Sequence, residues 1–494
     1  MDTQTEKPPT VLMAAAEVAP YAKTGGLGDV VGALSKALAD RGTSVSVFLP
    51  LHAQIDRQRF PLINMGKTVT VPLSERKEKG ELFYHESDGV RYYLIKNDSY
   101  FDRPGLYGTN EGDYPDNAAR FTFFSRAVLE SAKVLDLRPD IVHCHDWHTG
   151  LIPVFMKAGD GVDPYFRTTA ILFTIHNLGY QGIFWHYDWH LLHLPWDHFT
   201  PEGLEFYGKI NLMKGGLLFA DALSTVSPRY AKEIQTAEYG HHLEGVLQKR
   251  KKDLYGILNG IDTREWDPAH DPHIAAPYDA RSLEKKENCK AALQKEVGLP
   301  VRREIPLLAT ISRLTEQKGI DLIADLFERV MKRGVQWVIL GSGDKKYEEQ
   351  MTFLAKAYPQ QAVVRIAYDP LLAHRIEAGA DIFLMPSKYE PCGLNQMMSL
   401  RYGTVPVVRA TGGLDDTVAP FDSRTLTGNG FKFKAYTSTA FFRQIQAALS
   451  LFNEKKKWQA LMRNGMEGDY SWDTSAEKYL RLYRLIRKKR EGER

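Results

Sequence analysis

Residues 10–38 read TVLMAAAEVAPYAKTGGLGDVVGALSKAL. The run Thr10–Ala16 is short and apolar, a glycine-rich turn follows, and apolar residues then recur three and four positions apart from Val30 to Leu38. This order predicts a buried strand, a tight turn and an amphipathic helix. A strand, a glycine-rich turn and a helix in succession are typical of the start of a doubly wound α/β domain.

Similar apolar runs recur along the chain and separate into two series. Near-continuous apolar runs of this length are typical of parallel strands that are buried on both faces. The first series is Thr10–Ala16, Ser44–Leu49, Ile141–His145, Ile171–His176 and Ala222–Val226, and the second is Pro306–Ile311, Gln336–Leu340, Ala362–Ile366, Asp381–Met385 and Val405–Val408. Helical patterns lie between them, as in Gly319–Met331 and Lys345–Ala357. The sequence therefore predicts two Rossmann-like halves, with ligands beyond the carboxyl ends of the strands.

The predicted domain limits follow from length and from the prolines. A chain of 494 residues is too long for one hydrophobic core. Prolines cluster in the stretch Asn259–Tyr278, which marks a join between the halves. We therefore expect an N-terminal domain at 1–262, a C-terminal domain at 263–470, and a final helix at 471–494 that could pack back on the first domain.

Composition excludes several classes of protein. The 64 basic and 61 acidic side chains leave a net charge of +3, which does not indicate nucleic-acid binding. The cysteines Cys144, Cys289 and Cys392 offer neither a disulfide framework nor metal-ligand spacing, and fit a reducing compartment. No targeting signal is visible in Met1–Pro9, and no apolar stretch reaches the roughly 18 residues of a membrane span. A cytoplasmic protein without a membrane partner is expected.

The loop Lys23–Asp29 lies between the first strand and the first helix. Its glycines let the backbone approach a ligand, and the amides and dipole at a helix start suit a diphosphate, to which Lys23 adds a cation. Asp29 is expected to cap the helix or to accept a hydrogen bond from a sugar hydroxyl. The alternative is a tight turn without a ligand.

Three further loops follow strands of the second series. Arg313 and Lys318 stand five residues apart, so both can reach one diphosphate and stabilise a departing nucleotide; the alternative is two surface cations. Glu390 follows Asp381–Met385 and is placed to bind sugar hydroxyls or to steady positive charge at an anomeric carbon, unless it caps a helix. Thr411–Thr417 is a second glycine-rich turn and another candidate diphosphate site.

Two polar and aromatic clusters follow strands of the first series. They are His145–His148 and His176–Gly182, which offer hydrogen-bonding and stacking groups to a sugar. The histidines lack the spacing and the third ligand that a zinc site needs.

Together these segments resemble a known family. Lys23–Asp29, His145–Trp147, His176–Gly182, Asn259–Asp262, Ser312–Gly319, Glu390–Leu394 and Thr411–Leu414 occur in the order found in bacterial glycogen synthases and plant starch synthases. The resemblance implies the GT-B fold, in which two Rossmann-like domains face a deep cleft. It also implies a retaining α-1,4-glucosyltransferase with ADP-glucose as donor, the non-reducing end of a glucan as acceptor, and no metal or other cofactor.

The resemblance assigns roles to individual residues. Arg313 and Lys318 match the pair that stabilises the leaving ADP, Glu390 the carboxylate at the glucosyl site, and His176 the residue near the reacting carbon. The other substrate-binding positions that it implies are Lys23, Gly25, Gly26, Asp29, Tyr114, Asp146, Trp147, Asn259, Tyr368, Ser387, Cys392, Gly393, Leu394, Thr411, Gly412 and Gly413. Met398 stands where many retaining GT-B enzymes carry a second glutamate, which this family also lacks.

Other functions stay open at this point. A different donor such as UDP-glucose depends on a few pocket contacts that these motifs do not determine. A non-catalytic glucan-binding homologue should have lost Lys23, Arg313, Lys318 or Glu390, and all four are present. A dinucleotide oxidoreductase disagrees with the spacing of the first glycine loop and with the lack of an acidic residue closing Ser44–Leu49.

Overall fold

The computed structural model describes residues 8–109, 111–158 and 163–492. Most of the segment inspected for a targeting signal, residues 1–7, lies outside these ranges. The chain divides into two compact units. Unit 1 comprises the described parts of Met1–Val226, Ala231–Ile257 and Trp472–Arg494, and unit 2 comprises Ser227–Tyr230 and Leu258–Ser471.

In the described part of the chain, the strands form four sheets. The strands are β1 (Val11–Ala14), β2 (Val45–Pro50), β3 (Ile63–Leu73), β4 (Arg76–Ser87), β5 (Val90–Lys96), β6 (Gly108–Thr109), β7 (Gly112–Asp113), β8 (Ile141–His145), β9 (Ala170–Ile175), β10 (Ile183–Trp185), β11 (Glu205–Phe206), β12 (Lys209–Asn211), β13 (Ala222–Thr225), β14 (Leu254–Gly256), β15 (Leu307–Ile311), β16 (Gln336–Gly341), β17 (Ala362–Ile366), β18 (Ile382–Met385), β19 (Val405–Arg409) and β20 (Phe431–Phe433).

Helices fill most connections between the strands. They are α1 (Gly26–Ala39), α2 (Asp98–Phe101), α3 (Asn117–Val134), α4 (Leu151–Lys157), α5 (Leu212–Phe219), α6 (Pro228–Glu233), α7 (Glu244–Lys249), α8 (Lys286–Val297), α9 (Ile320–Met331), α10 (Lys345–Lys356), α11 (Pro370–Gly379), α12 (Asn395–Arg401), α13 (Gly412–Thr417), α14 (Ser438–Phe452), α15 (Lys455–Met466) and α16 (Trp472–Gly492). Within the described ranges, no helix combines the length and the apolar character that crossing a membrane requires.

Unit 1 is built on a nine-stranded sheet with the order β14-β13-β9-β8-β1-β2-β5-β4-β3. Neighbouring strands run parallel from β14 to β5, and β4 pairs antiparallel with both β5 and β3. The strand β1 lies between β2 and β8 and is buried along its whole length. Chain order reverses at this point, so the loops after β1 and β8 leave the sheet side by side.

Unit 2 is built on a six-stranded parallel sheet with the order β17-β16-β15-β18-β19-β20. Counted from β15, this is the order 3-2-1-4-5-6 of a Rossmann sheet. The order reverses between β15 and β18, where ligands bind in open sheets of this kind. The loops after these two strands are therefore the place to look for a site in unit 2.

The last helix belongs to unit 1. On α16, Tyr479 and Tyr483 are fully buried and pack in one hydrophobic cluster with Val30 and Leu34 of α1. The Tyr483 hydroxyl also lies 2.8 Å from His143 Nδ1 on β8. The final helical segment of the chain thus completes the core that the first strand and helix begin.

Candidate active site

Two loops of unit 2 carry the predicted cations and the predicted carboxylate. They follow the neighbouring strands β15 and β18. Lys318 Nζ lies 2.6 Å from Glu390 Oε2, and the Ser387 hydroxyl donates to the same oxygen at 3.0 Å. The Lys318 and Glu390 side chains are only 16% and 7% exposed. The structure therefore brings three of the predicted site residues into one shielded group.

A second lysine–glutamate pair joins the same two loops. Lys388 Nζ lies 2.6 Å from Glu316 Oε1, but these side chains are 52% and 60% exposed. Exposed ion pairs contribute about 0 to 1 kcal/mol, because water screens both charges. This outer pair is a matched comparison for the shielded pair of Lys318 and Glu390.

Arg313 begins the loop that ends with Lys318, and its side chain is exposed. Arg313 Nη2 donates to Gln317 Oε1 at 3.3 Å, and Gln317 Nε2 donates to the Tyr389 carbonyl oxygen at 3.5 Å. Both hydrogen bonds are long, so little free energy holds the guanidinium in place. Its planar donor fork can turn toward a phosphate at small cost.

The second glycine-rich turn supports the backbone of Glu390. Gly413 N donates to the carbonyl oxygens of Glu390 and Pro391 at 3.2 and 3.1 Å. A Cβ on Gly412 would lie 1.8 Å from the Glu390 carbonyl oxygen, and Gly412 has a φ of +43°. Only glycine fits this close approach. The amide of Gly413, predicted as part of a diphosphate site, thus has a backbone partner in this structure.

Cys392 and Asn259 lie together in the interior of unit 2. Burial raises the pKa of the Cys392 thiol to about 12, although a hydrogen bond with the Asn259 backbone acts against the rise. Cys392 therefore stays a neutral thiol at neutral pH. Asn259 is also buried. Both residues can shape a pocket, and neither supplies a charge.

The other predicted residues of unit 2 differ in exposure. Tyr368, two residues after β17, is 77% exposed. Thr411 is fully buried before α13, and Leu394 precedes α12. Gly393 has a φ of +69°, which a glycine adopts without strain. An exposed ring such as that of Tyr368 is available for stacking on a base or a sugar.

In unit 1, a buried carboxylate that the sequence did not single out organises the first glycine-rich loop. Glu17 accepts hydrogen bonds from Thr24 N at 2.5 Å, the Thr24 hydroxyl at 2.8 Å, Gly25 N at 3.2 Å and the Tyr107 hydroxyl at 2.6 Å. Two backbone amides of the predicted ligand-binding loop, those of Thr24 and Gly25, thus bond to Glu17. A single acidic residue in the otherwise apolar run after β1 was the available signal.

Replacing Glu17 with alanine is expected to destabilise the protein by about 2 to 4 kcal/mol, because buried donors lose a charged acceptor. Thermal or urea unfolding measures the loss. Glu17→Gln is the matched control: its amide oxygen can accept from the two backbone N–H groups, while its NH₂ donates to the two hydroxyls. Equal destabilisation by both substitutions would contradict this role of the hydrogen bonds.

Lys23 and Asp29 form an ion pair across the same loop. Lys23 Nζ lies 2.7 Å from Asp29 Oδ1, and the side chains are 41% and 38% exposed. The N-cap of α1 is Gly25, which makes no side-chain cap hydrogen bond. Asp29 therefore does not cap the helix, and of its two predicted roles the sugar contact stays a prediction.

Asp146 follows β8 with the unusual φ of 56°. Its backbone N–H donates to the Thr174 carbonyl oxygen at 3.0 Å, and its carboxylate accepts from His176 N at 2.7 Å. Burial raises the pKa of Asp146 from 3.8 to about 7, although the amides of His176 and Asn177 act against the rise. The backbone thus holds a carboxylate that changes charge near neutral pH.

The activity of this site is expected to fall as the pH drops through about 7, because protonated Asp146 loses capacity to accept hydrogen bonds. The profile of kcat/KM against pH measures this. Asp146→Asn, which cannot ionise, should lower the activity and remove the fall of kcat/KM on the acidic side of the profile. An unchanged acidic limb in Asp146→Asn would assign the ionisation to another group.

The same pKa makes stability depend on pH. Between about pH 4 and about pH 7 the folded state holds a proton that the unfolded state has released. The contribution of Asp146 to the free energy of unfolding therefore falls as the pH rises through this window. Denaturant titrations of wild type and Asp146→Asn at several pH values measure how much of the pH dependence of the free energy of unfolding is due to Asp146.

Trp147 is packed into the core at the end of β8. Its ring lies 4.9 Å from Phe121 and 4.0 Å from His148, measured between ring centroids. A Cβ on Gly182 would meet the Trp147 ring at 2.3 Å, and Gly182 has a φ of +62°. Gly182, in the predicted cluster after β9, therefore packs directly against Trp147, in the predicted cluster after β8. Trp147 is 8% exposed.

His176 is also nearly buried, 8% exposed. Its Nε2 lies 3.0 Å from His145 Nδ1. Burial lowers the pKa of His176 to about 3, so the ring is neutral at physiological pH. The side chain can make hydrogen bonds to a sugar, but it does not supply a positive charge.

Tyr114 lies in the segment before α3. Its ring centroid is 4.9 Å from the guanidinium carbon of Arg103 and 5.0 Å from that of Arg120. Gly105 N donates to the Tyr114 hydroxyl at 3.1 Å. Asn117 Nδ2 donates to the Tyr107 carbonyl oxygen at 2.9 Å, which connects this segment to the partner of Glu17.

Across residues 8–492, with 110 and 159–162 left aside, no group of three or more His, Cys, Asp or Glu side chains is arranged to hold a metal ion.

Comparisons with known proteins identify the same family as the order of the motifs does. The family of starch synthase catalytic domains matches residues 10–249, and the family of group 1 glycosyl transferases matches residues 295–464. A glycogen synthase of Koribacter versatilis is 50% identical over 96% of this chain and 97% of its own length. A glycogen synthase of Moorella thermoacetica is 47% identical, with 98% of each chain covered.

Solved structures show the same architecture. The catalytic domain of starch synthase IV from Arabidopsis thaliana, bound to ADP and acarbose, superposes with a TM-score of 0.89. It is 34% identical and covers 97% of this chain and 100% of its own. A sucrose-phosphate synthase from Thermosynechococcus elongatus superposes with a TM-score of 0.61 at 16% identity, covering 97% and 99% of the two chains, and so shares the fold alone.

Proposed function

Because this chain belongs to the family of bacterial glycogen synthases and plant starch synthases, we propose that it extends α-1,4-glucans with glucose from ADP-glucose, with retention at the anomeric carbon. The family membership makes it a glycosyltransferase with the GT-B fold. The choice of ADP-glucose and the stereochemistry are the parts of the proposal that need a direct test.

The observation that carries the proposal is the shielded group of Lys318, Glu390 and Ser387 at the switch point of unit 2. A lysine with little solvent around it interacts strongly with a diphosphate. Its carboxylate partner is suited to stabilise positive charge that develops at an anomeric carbon. Arg313, on the same loop as Lys318, adds a second cation for the leaving group.

The proposed reaction needs no protein nucleophile. The bond from the anomeric carbon to the diphosphate breaks first, and the acceptor hydroxyl attacks from the same face through an ion-pair-like transition state. An oxygen of the departing phosphate takes the acceptor proton. Lys318 and Arg313 then stabilise the negative charge, and Glu390 the positive charge, while the other side chains position the substrates.

Residues of unit 1 are assigned to the sugar and to the acceptor. Asp146 and His176 supply a carboxylate and a neutral imidazole for sugar hydroxyls. The loop with Lys23 and Asp29 is assigned to the donor, and Tyr114 to the acceptor. The internal anchoring of this loop by Glu17 supports a positioning role, because a fixed loop loses less entropy on binding.

A donor panel with glycogen as acceptor tests the proposal. Purified protein is expected to incorporate glucose from radiolabelled ADP-glucose, and digestion of the product should show α-1,4 linkages. Incorporation from UDP-glucose without incorporation from ADP-glucose would overturn the donor assignment. No incorporation from any nucleotide-sugar, by folded protein, would favour a non-catalytic glucan-binding role.

We assign the neutralisation of the diphosphate to protein cations and to no metal. Transfer is expected to persist in excess EDTA, and loss that Mg²⁺ restores would contradict this part. We also place the protein in the cytoplasm, because Cys144, Cys289 and Cys392 are buried and unpaired.

A further inference from the structure

The strand β8 carries two histidines, His143 and His145, near the proposed sugar site. Of these two, only His145 is hydrogen-bonded to His176, a residue of that site. His145 is fully buried, and its Nδ1 lies 3.0 Å from His176 Nε2. His143, two residues earlier, contacts His145 with ring centroids 4.0 Å apart and the ring planes tilted by 37°, but its hydrogen bonds go to Tyr483 and Thr174. The proposed function assigns a role to His176 and none to His145.

The other nitrogen of His145 determines where the protons lie. His145 Nε2 is buried and has no hydrogen-bond partner among the residues that the structure describes. Burial holds the pKa values of His145 and His176 below the usual range, so each ring is neutral and carries one N–H at physiological pH. A buried N–H without a partner costs more than a bare nitrogen acceptor in the same place.

The proton of His145 therefore belongs on Nδ1, where it has a partner. His145 Nδ1–H then donates to His176 Nε2, which must be unprotonated. His176 in turn carries its own proton on Nδ1. A histidine whose second nitrogen is bonded in this way is held in one tautomer and one ring orientation.

We propose that His145 is a positioning residue that fixes His176 in the Nδ1–H tautomer, so that His176 acts as a hydrogen-bond donor to an oxygen of the glucosyl group. The effect on sugar binding rests on the proposed function. The tautomer itself does not depend on it, because it follows from contacts within unit 1.

Nitrogen NMR of the full-length protein with ¹⁵N-labelled histidine tests the tautomer. The resonances of His176 are assigned by their loss in His176→Asn. We expect a protonated Nδ1 and a bare Nε2 at His176 in the wild type. A protonated Nε2 at His176 would overturn the proposal, whatever the enzyme assay shows.

Two substitutions at His145 separate its hydrogen bond from its volume. Asparagine places an amide NH₂ near the position of Nδ1, so His145→Asn is expected to keep the tautomer of His176. His145→Phe keeps a flat ring without a donor, and both tautomers of His176 should then appear. An unchanged tautomer in a folded His145→Phe would contradict the proposal.

His143→Gln is the matched control, because His143 contacts the ring of His145 but makes no hydrogen bond to His176. It should leave the tautomer of His176 unchanged. In the transferase assay, His145→Phe should lower kcat by about tenfold, the lower end of the loss caused by removing a partner that orients a metal-bound histidine. His145→Asn should restore most of that loss, and equal loss in both variants would indicate a packing role instead. If the wild type transfers no glucose, the proposed function fails and the NMR result still decides the tautomer.

Discussion

Replacing Lys318 with alanine is expected to lower kcat for glucosyl transfer by about three orders of magnitude, because a shielded cation at the leaving group is lost. The charge acts mainly when the bond to the diphosphate breaks, so KM for the donor should change much less than kcat. Glu390 keeps its hydrogen bond from Ser387, which limits the disturbance of the loop. Initial rates at several donor concentrations, with circular dichroism to confirm folding, measure both effects.

The outer pair provides the control for this experiment. Lys388→Ala removes a lysine that joins the same two loops through Glu316, but in an exposed position. Its loss is expected to change kcat by less than about threefold and stability by less than about 1 kcal/mol. If Lys388→Ala and Lys318→Ala lower kcat equally, the lysine at 318 acts by holding the loops together and not by stabilising the leaving group.

Replacing Glu390 with alanine is expected to cause a loss of kcat of similar size, about three orders of magnitude. The substitution removes the carboxylate next to the proposed glucosyl site and leaves the cation of Lys318 without its 2.6 Å partner. Glu390→Gln separates charge from shape, because a glutamine can still bond to Ser387 and Lys318. If the negative charge of Glu390 is what stabilises the transition state, kcat of Glu390→Gln should lie within about tenfold of kcat of Glu390→Ala.

A double substitution tests whether the two residues act as a unit. Lys318→Ala combined with Glu390→Ala should cost at most about tenfold more than either change alone, because groups that serve one step are strongly non-additive. Single-turnover rates measure this combination even when steady-state rates are low. If the loss in the double variant equals the product of the two single fold-losses in rate, Lys318 and Glu390 serve separate steps.

Most parallel strands could be predicted from the sequence because both of their faces are buried. The predicted strands Ile141–His145 and Ala362–Ile366 agree with β8 and β17 at both ends, and the other eight differ by one or two residues at one end or at both. The GT-B fold class is confirmed by the structural relatives. The strands β3 and β4 were not predicted, because one face is largely exposed and neither strand has a continuous apolar run of the kind used for the others: Val69, Val71 and Leu73 of β3 alternate with Thr70 and Pro72, and β4 begins with four charged residues.

The candidate site of unit 2 could be predicted because its residues follow neighbouring strands. Lys318 and Glu390 are 72 residues apart, yet the strand order brings both loops to one edge. Glu17 was missed for the opposite reason. Its partner Tyr107 lies 90 residues away in a loop, and no local pattern indicates which loop a buried carboxylate will meet.

The position of α16 has a consequence for how the chain folds as it leaves the ribosome. Unit 2 is complete once residue 471 has emerged, whereas unit 1 still lacks Tyr479 and Tyr483 from its core. The part of the protein that is synthesised first therefore finishes folding last, which reverses the usual order for tandem domains. Until residues 472–492 have emerged, the apolar side chains of α1 that face α16 are uncovered, and a nascent chain stalled before residue 472 would expose an apolar surface of the kind that chaperones bind.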